Sequence, residues 1–386
     1  MTKLISETEQ FFKQCFDEQP KYIFLSPGRI NIIGEHIDYN DGFVLPAAID
    51  KYVCIAISES GSDDCIIEAN DLNEKYEFDI KDEIVSVNQN WANYFLGILK
   101  LIKNRNRIKG FHLAFMSTIP IGAGLSSSAA LECGFAFALN EIFALDNSKK
   151  EIALLGQLSE NTFVGVQCGI MDQFASVFGK EEKVIMLDCR DLSYKYHNAD
   201  LGAYSLLLLN SNVKHTLLTS GYNDRRTETE QGLAIIQKKF PEIKSFRDCT
   251  EDHIAQLKEQ LGETIWKRCN FTVKEIKRVP EAAAALDKGD LELLGKLMYE
   301  THQGLSKEYE VSCEETDFLV EAMHRDTKVL GARMMGGGFG GCTINLVEKG
   351  YEDELIARVS SAYKDTFNHS PEAYKIKLSD GTHTFK

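Results

Sequence analysis

Apolar residues recur every three to four positions over ISETEQFFKQCF (5–16), the spacing of an amphipathic helix. The short apolar run YIFL (22–25) predicts a strand that ends at Pro27-Gly28. GFVLPAAI (42–49) and YVCIAISE (52–59) read as two further strands, with Pro46 forcing an edge or a bend. Helical spacing returns in WANYFLGILKLIK (91–103), FHLAFMST (111–118) alternates as a strand does, and Pro120-Ile-Gly stops it. From Ser126 to about Phe143 the chain is rich in Ala and Leu and predicts a helix, with a second over 149–165. VIMLD (184–188) and YSLLLLN (204–210) suit buried strands. The stretch 219–328 is largely helical and polar on one face, CTINLV (342–347) is a strand after a glycine cluster, and 352–366 a last helix. Such a mixture predicts an α+β or α/β protein. The polar, glycine-containing HNADLGA (197–203) marks a boundary between 1–197 and 198–386.

Composition narrows the class. A chain of 386 residues can bury a sizeable core without covalent staples. Its net charge of −15, with no long basic run, argues against a nucleic-acid surface, though not against ATP. The ten cysteines form no C-x-x-C pair, which disfavours a zinc ribbon or redox dithiol and predicts reduced thiols in a cytosolic protein. The opening MTKLISETEQFFKQ is charged and amphipathic, unlike a signal peptide. No stretch of 18 apolar residues exists to span a membrane. A cytoplasmic protein is expected, with a monomer the simplest assembly.

Four stretches could carry chemistry. PIGAGLSSSAALE (120–132) places a glycine turn between a strand and a helix, the arrangement that aims free N–H groups at an anion. Gly122 and Gly124 permit positive φ, and Ser126, Ser127 and Ser128 can cap the helix or offer hydroxyls to phosphate or metal. The competing interpretation is an ordinary glycine turn with a serine cap. No Walker A lysine is present, and Ser127 stands where a dinucleotide fingerprint needs its third glycine. In SPGRINIIGEHIDYNDG (26–42), Arg29, Glu35, His36 and Asp38 lie among Ile30, Ile32, Ile33 and Ile37. Charges in an apolar stretch must pair or meet a ligand, and these groups suit a polyhydroxylated one. SENTFVGVQCGIMDQFASVFG (159–179) holds Glu160 on a predicted helix and Asp172 before QFASVF, where it is either a proton acceptor or a helix N-cap. MMGGGFGGC (334–342) packs five glycines into six residues at a predicted helix-to-strand junction, a tight backbone passage.

Taken together, these stretches resemble the galactokinases, a branch of the family that also holds homoserine, mevalonate and phosphomevalonate kinases. GRINIIGEHIDYNDGFVLP (28–46) is similar to the galactokinase signature, GLSSSAALE (124–132) to the shared ATP-loop motif, and CGIMDQF (168–174) to the catalytic-aspartate segment. NSNVKHTLLTSGYNDRR (210–226) and MMGGGFGGCTI (334–344) match later segments, so the resemblance runs from about residue 10 to about residue 377.

The resemblance implies two mixed α/β lobes with the active site in the cleft between them. It implies phosphoryl transfer from MgATP to the anomeric hydroxyl of α-D-galactose. Asp172 would be the base, and Arg29 would stabilise the transition state and hold the aspartate ionised. Glu35, His36, Ile37, Asp38, Gly169 and Tyr222 would face the sugar. Gly122, Ala123, Gly124, Leu125, Ser126, Ser127 and Ser128 would cradle the phosphates, with Mg²⁺ on Ser128 and Glu160. Trp91 would stand near the adenine, and Asn70 replaces a serine that many relatives place there. The rivals are a kinase for a related sugar such as N-acetylgalactosamine or arabinose, and a non-catalytic galactose sensor. The sensors lack two residues of the serine-alanine run, which is intact here as SSSAA. An NAD enzyme explains none of the other motifs.

Overall fold

The computed structural model describes residues 1–213 and 218–386. The segment 210–226 therefore lies partly outside the described residues. The first half runs α1 (Thr2–Phe16), β1 (Tyr22–Asn31), β2 (Phe43–Val44), β3 (Pro46–Glu59), β4 (Asp64–Ala69), β5 (Glu74–Asp79), α2 (Asn90–Leu101) and β6 (Phe111–Ser117). It continues with α3 (Ser127–Phe143), α4 (Lys149–Ser159), α5 (Met171–Phe178), β7 (Lys183–Asp188) and β8 (Tyr194–Asn198). The second half holds β9 (Tyr204–Asn210), α6 (Leu218–Lys239), α7 (Glu251–Ala255), α8 (Lys258–Lys288), α9 (Leu291–Lys307) and α10 (Glu314–His324). It closes with β10 (Val329–Met334), β11 (Cys342–Glu348), α11 (Glu352–Phe367), β12 (Glu372–Lys375) and β13 (His383–Thr384).

Three sheets organise these elements: β13-β1-β3-β6-β4-β5, β10-β11-β9-β12 and the small β2-β7-β8. Helices α2, α3 and α5 pack against the first, around Phe24, Ile55, Phe95, Phe111 and Phe135. The second sheet buries Leu207, Leu209 and Val347 against Leu319, Met323, Leu355 and Tyr363 of α10 and α11. The mixed α+β class expected from the pattern is what the chain adopts. The proposed division between residues 197 and 198 falls at the last residue of β8, just before β9, while β13 returns to pair with β1, setting Phe24 opposite Thr384. Thr382 reinforces that return through its hydroxyl, 2.9 Å from that of Ser26. Among the described residues no helix is long and apolar enough to cross a membrane.

Three local expectations need correction. Strand β1 does not stop at Pro27-Gly28 but runs to Asn31, because a register shift between Pro27 and Arg29 absorbs the proline. The predicted helix 149–165 ends at Ser159 and widens into a π-helical turn over Glu160–Val164. The glycine cluster joins strand β10 to strand β11, not a helix to a strand. Gly331 and Arg333 hide that strand in the sequence. Gly331 has no side chain because a Cβ there would lie 2.5 Å from the Gly295 Cα of α9.

Candidate active site

Beyond its bulge, β1 stays paired with β3, setting Arg29 opposite Ala48, and presses against the glycine turn. A Cβ on Gly28 would lie 2.6 Å from the Leu125 carbonyl oxygen, and the Arg29 N–H donates to that same oxygen at 3.1 Å. Gly122 and Gly124 take φ of +75° and +73°, and the chain then enters α3 through Ser126, itself at +60°. The serine does not cap the helix as its sequence position suggests. Its hydroxyl instead donates to Asp172 Oδ2 at 2.5 Å. The positive end of this 17-residue helix thus faces a cavity of about 390 Å³. That cavity is lined by Gly122, Gly124, Leu125, the three serines, Tyr94 and the glycine loop before β11, whereas Ala123 is fully buried beneath it.

Asp172 lies in the first turn of α5 and is not its N-cap, a position held by Ile170. Its two carboxylate oxygens accept from Arg29 Nε at 2.8 Å and Nη2 at 3.0 Å, a bidentate pair. The third arm of the guanidinium, Nη1, donates to the Gly124 carbonyl at 2.5 Å and so ties the pair to the glycine turn. Burial works against the Arg29 charge, but Asp172, Glu35 and Asp38 more than offset it and raise its basicity.

A second cavity of about 200 Å³ adjoins the first, and Arg29, Asp172 and Gly337 line both. Its walls hold Glu35, His36, Asp38, Gly169 and Tyr222. Gly169 must be a glycine, since a Cβ there would lie 1.9 Å from Asp38 Oδ2. Burial, with the Asp172 and Glu35 charges, pushes the Asp38 carboxyl up to about 7. Burial would also raise Glu35, yet the Arg333 guanidinium at 2.8 Å, Arg29 and the Gly336 N–H at 3.0 Å hold it below the usual range. All three act on Glu35 without occupying Oε2, which has no hydrogen-bond partner among the described residues. Ile37 is placed differently. Its side chain is fully buried in the core and its carbonyl accepts from the Asn40 and Gly42 N–H groups. The apolar neighbours of this charged stretch are thus its anchor to the core.

Ser128 and Glu160 meet where the π-helical turn faces α3, the hydroxyl donating to Oε1 at 3.1 Å. Burial, then the Asp172 charge, pushes the Glu160 carboxyl up to about 7 despite hydrogen bonds from Ser128, Cys168 and Gln173. One hydroxyl and one carboxylate are hard oxygen donors that suit a Mg²⁺ ion keeping water and phosphate oxygens. Asn70 and Trp91 line neither cavity. Asn70 sits in a helical turn after β4, and Trp91 donates from Nε1 to Glu74 at 2.6 Å and packs on Phe115 of β6. Sequence reasoning passed over Tyr94, Tyr39, Tyr309 and Arg333. Of these, only Arg333 carries a signal, a charge set within the apolar run VLGARMM.

Sequence profiles match the chain in three places: the galactokinase galactose-binding signature over residues 10–59, the GHMP kinases N terminal domain over 93–180 and the GHMP kinases C terminal over 282–365. The galactokinase of Thermotoga maritima is 42% identical over 357 residues, covering 92% of this chain and 98% of its own. That of Roseiflexus is 38% identical over 376 residues, covering 97% and 96%. Among solved structures, the Lactococcus lactis galactokinase complexed with galactose superposes with a TM-score of 0.93 at 34% identity, over 98% of this chain and 99% of that one. The Methanococcus jannaschii mevalonate kinase shares the fold, with a TM-score of 0.65 at 22% identity over 93% and 98% of the two chains.

Proposed function

The chain belongs to the galactokinases of the GHMP kinase family, and from that premise we infer that it transfers the γ-phosphoryl group of ATP to the C1 hydroxyl of α-D-galactose. The observation that carries the reading is the Arg29–Asp172 pair standing where the two cavities join. A reacting hydroxyl held in the smaller cavity would meet a phosphoryl group held in the larger one at that pair. Phosphoryl transfer needs positioning and charge neutralisation more than covalent help.

In this reading Asp172 accepts the proton of the C1 hydroxyl, and Ser126 and Arg29 hold its oxygens in place. Arg29, tethered to Gly124, is also the fixed cation beside the developing charge of the transition state. Asp38, Glu35, His36, Gly169 and Tyr222 bind the sugar. The glycine turn and the start of α3 bind the phosphates with N–H groups, which replaces the lysine of other phosphate loops. Ser128 and Glu160 hold Mg²⁺, which when bound neutralises phosphate charge. We place the protein in the cytoplasm, acting as a monomer on small molecules.

A panel assay tests this. ATP-dependent phosphorylation is measured with galactose, glucose, N-acetylgalactosamine and arabinose, with and without Mg²⁺. Turnover of galactose and rejection of glucose is expected. Turnover of another sugar in its place would move the substrate, and binding of galactose without turnover would make the protein a sensor.

A further inference from the structure

Behind the sugar-facing side chains runs a chain of hydrogen bonds with a fixed direction. The Gly337 carbonyl oxygen has no proton to give, so the His36 Nε2 that faces it at 3.3 Å must carry one. Burial pushes the imidazole down to about 4, so the ring is neutral near pH 7 and its Nδ1 is an acceptor. The Tyr39 hydroxyl, 2.7 Å from Nδ1, therefore donates to it. That leaves the Tyr39 oxygen to accept from the Tyr309 hydroxyl at 2.9 Å.

Both ends of the chain are anchored in segments that shape the site. The Tyr309 carbonyl accepts from Arg225 Nε at 2.6 Å, and Arg225 lies on α6 about one turn beyond Tyr222. Two residues further, the Val311 carbonyl accepts from the Phe339 N–H of the glycine loop at 2.6 Å. Gly337, at the other end, lines both cavities. Its neighbours Gly336 and Gly338 both sit at φ +84°, a backbone that few side-chain contacts can steady.

We propose that Tyr39 and Tyr309 are positioning residues that fix His36 as its Nε2–H tautomer against Gly337, and that this contact couples the sugar cavity to the glycine loop of the phosphate cavity. The proposal rests on the sugar-kinase reading. A sugar drawn against His36 tightens its hold on Gly337, so the nucleotide meets a loop that is already ordered. By linkage, each ligand then tightens the other by the same factor.

Two measurements decide it. Nitrogen NMR of the histidine side chains should show His36 as the Nε2–H tautomer, its signals assigned by their loss in His36→Gln. An Nδ1–H tautomer overturns the proposal. Calorimetry then measures galactose binding with and without a non-hydrolysable ATP analogue and Mg²⁺. The wild type should show about three- to tenfold tightening, the worth of one hydrogen bond. Tyr39→Phe should bring that factor close to one. Tyr309→Phe should leave an intermediate factor, because Tyr39 can still donate to Nδ1. Unchanged coupling in Tyr39→Phe, or in Tyr309→Phe should Tyr39→Phe not fold, overturns the proposal, as does a wild type with no coupling. A wild type that binds no galactose would instead sink the sugar-kinase reading, and the tautomer alone would then decide the hydrogen-bond chain.

Discussion

Replacing Arg333 by methionine removes a fully buried guanidinium and strips its donors from four acceptors. These are the Ile32 carbonyl at 2.9 Å, the Asn31 carbonyl at 2.6 Å, the Met334 carbonyl at 2.8 Å and Glu35 Oε1 at 2.8 Å. Methionine fills much of the volume, so the loss is mainly electrostatic. Removing one partner of a buried ion pair costs about 3–5 kcal/mol, because the other charge stays buried and uncompensated. At about 2.1 cal/mol/K per residue, a chain of this length has an unfolding entropy of about 0.8 kcal/mol/K when it melts as one unit. Four kcal/mol then corresponds to a fall of about 5 °C in Tm. Scanning calorimetry at neutral pH measures it. Glu35→Gln/Arg333→Met removes the stranded charge as well, so it should melt above Arg333→Met. The sign with pH follows from the lowered pKa of Glu35: its contribution is present above the usual carboxylate range and lost as pH falls through its lowered value. The gap between wild type and Arg333→Met should therefore narrow in acid. A single variant melting within 1 °C of the wild type, or a double variant no better than the single, would refute the reasoning.

Other substitutions separate binding from chemistry. Asp172→Asn should fold and bind ATP but lose about 10²–10⁴-fold in kcat, and near-normal turnover would remove it as the base. Gly169→Ala should displace Asp38, raising the galactose KM about tenfold or more while leaving the ATP KM within about twofold, as a contact 1.9 Å away demands. Asp38 is held near 7 by burial, so its ionised form burdens the fold above that pH and not below the ordinary carboxylate range. Asp38→Asn should accordingly raise Tm at pH 8 but not at pH 4, while abolishing galactose binding; equal shifts at both pH values would contradict this. Ser128→Ala should raise the Mg²⁺ concentration needed for half-maximal rate, and an unchanged Mg²⁺ dependence would clear Ser128 of a metal role.

The sequence made the short-range chemistry legible and hid the long-range partners. The glycine turn, Glu35 to Asp38 and Asp172 were visible because charges and glycines break apolar patterns locally. Arg333 was passed over as Glu35's partner because the two lie 298 residues apart and join only when β10, in a different sheet, brings the Arg333 side chain to the end of β1. Strand β1 looked four residues long because Pro27 stops an ideal strand, and a register shift is a property of the pair, not of one segment. The serine run suggested a helix cap, but Asp172, from another helix, captured the Ser126 hydroxyl. Ile37 shows the reverse: its neighbours line the smaller cavity, and its own side chain is buried in the core.

The return of β13 to β1 sets an order on synthesis. Phe24 and Leu25 wait for partners made some 360 residues later, after every other strand of that sheet. During translation the outer edge of β1 stands open, an unpaired template for other chains. The strand that carries Arg29 is therefore fully paired only after residues 382–384 have been made and folded back, so the edge beside the candidate site is among the last parts of the sheet to close.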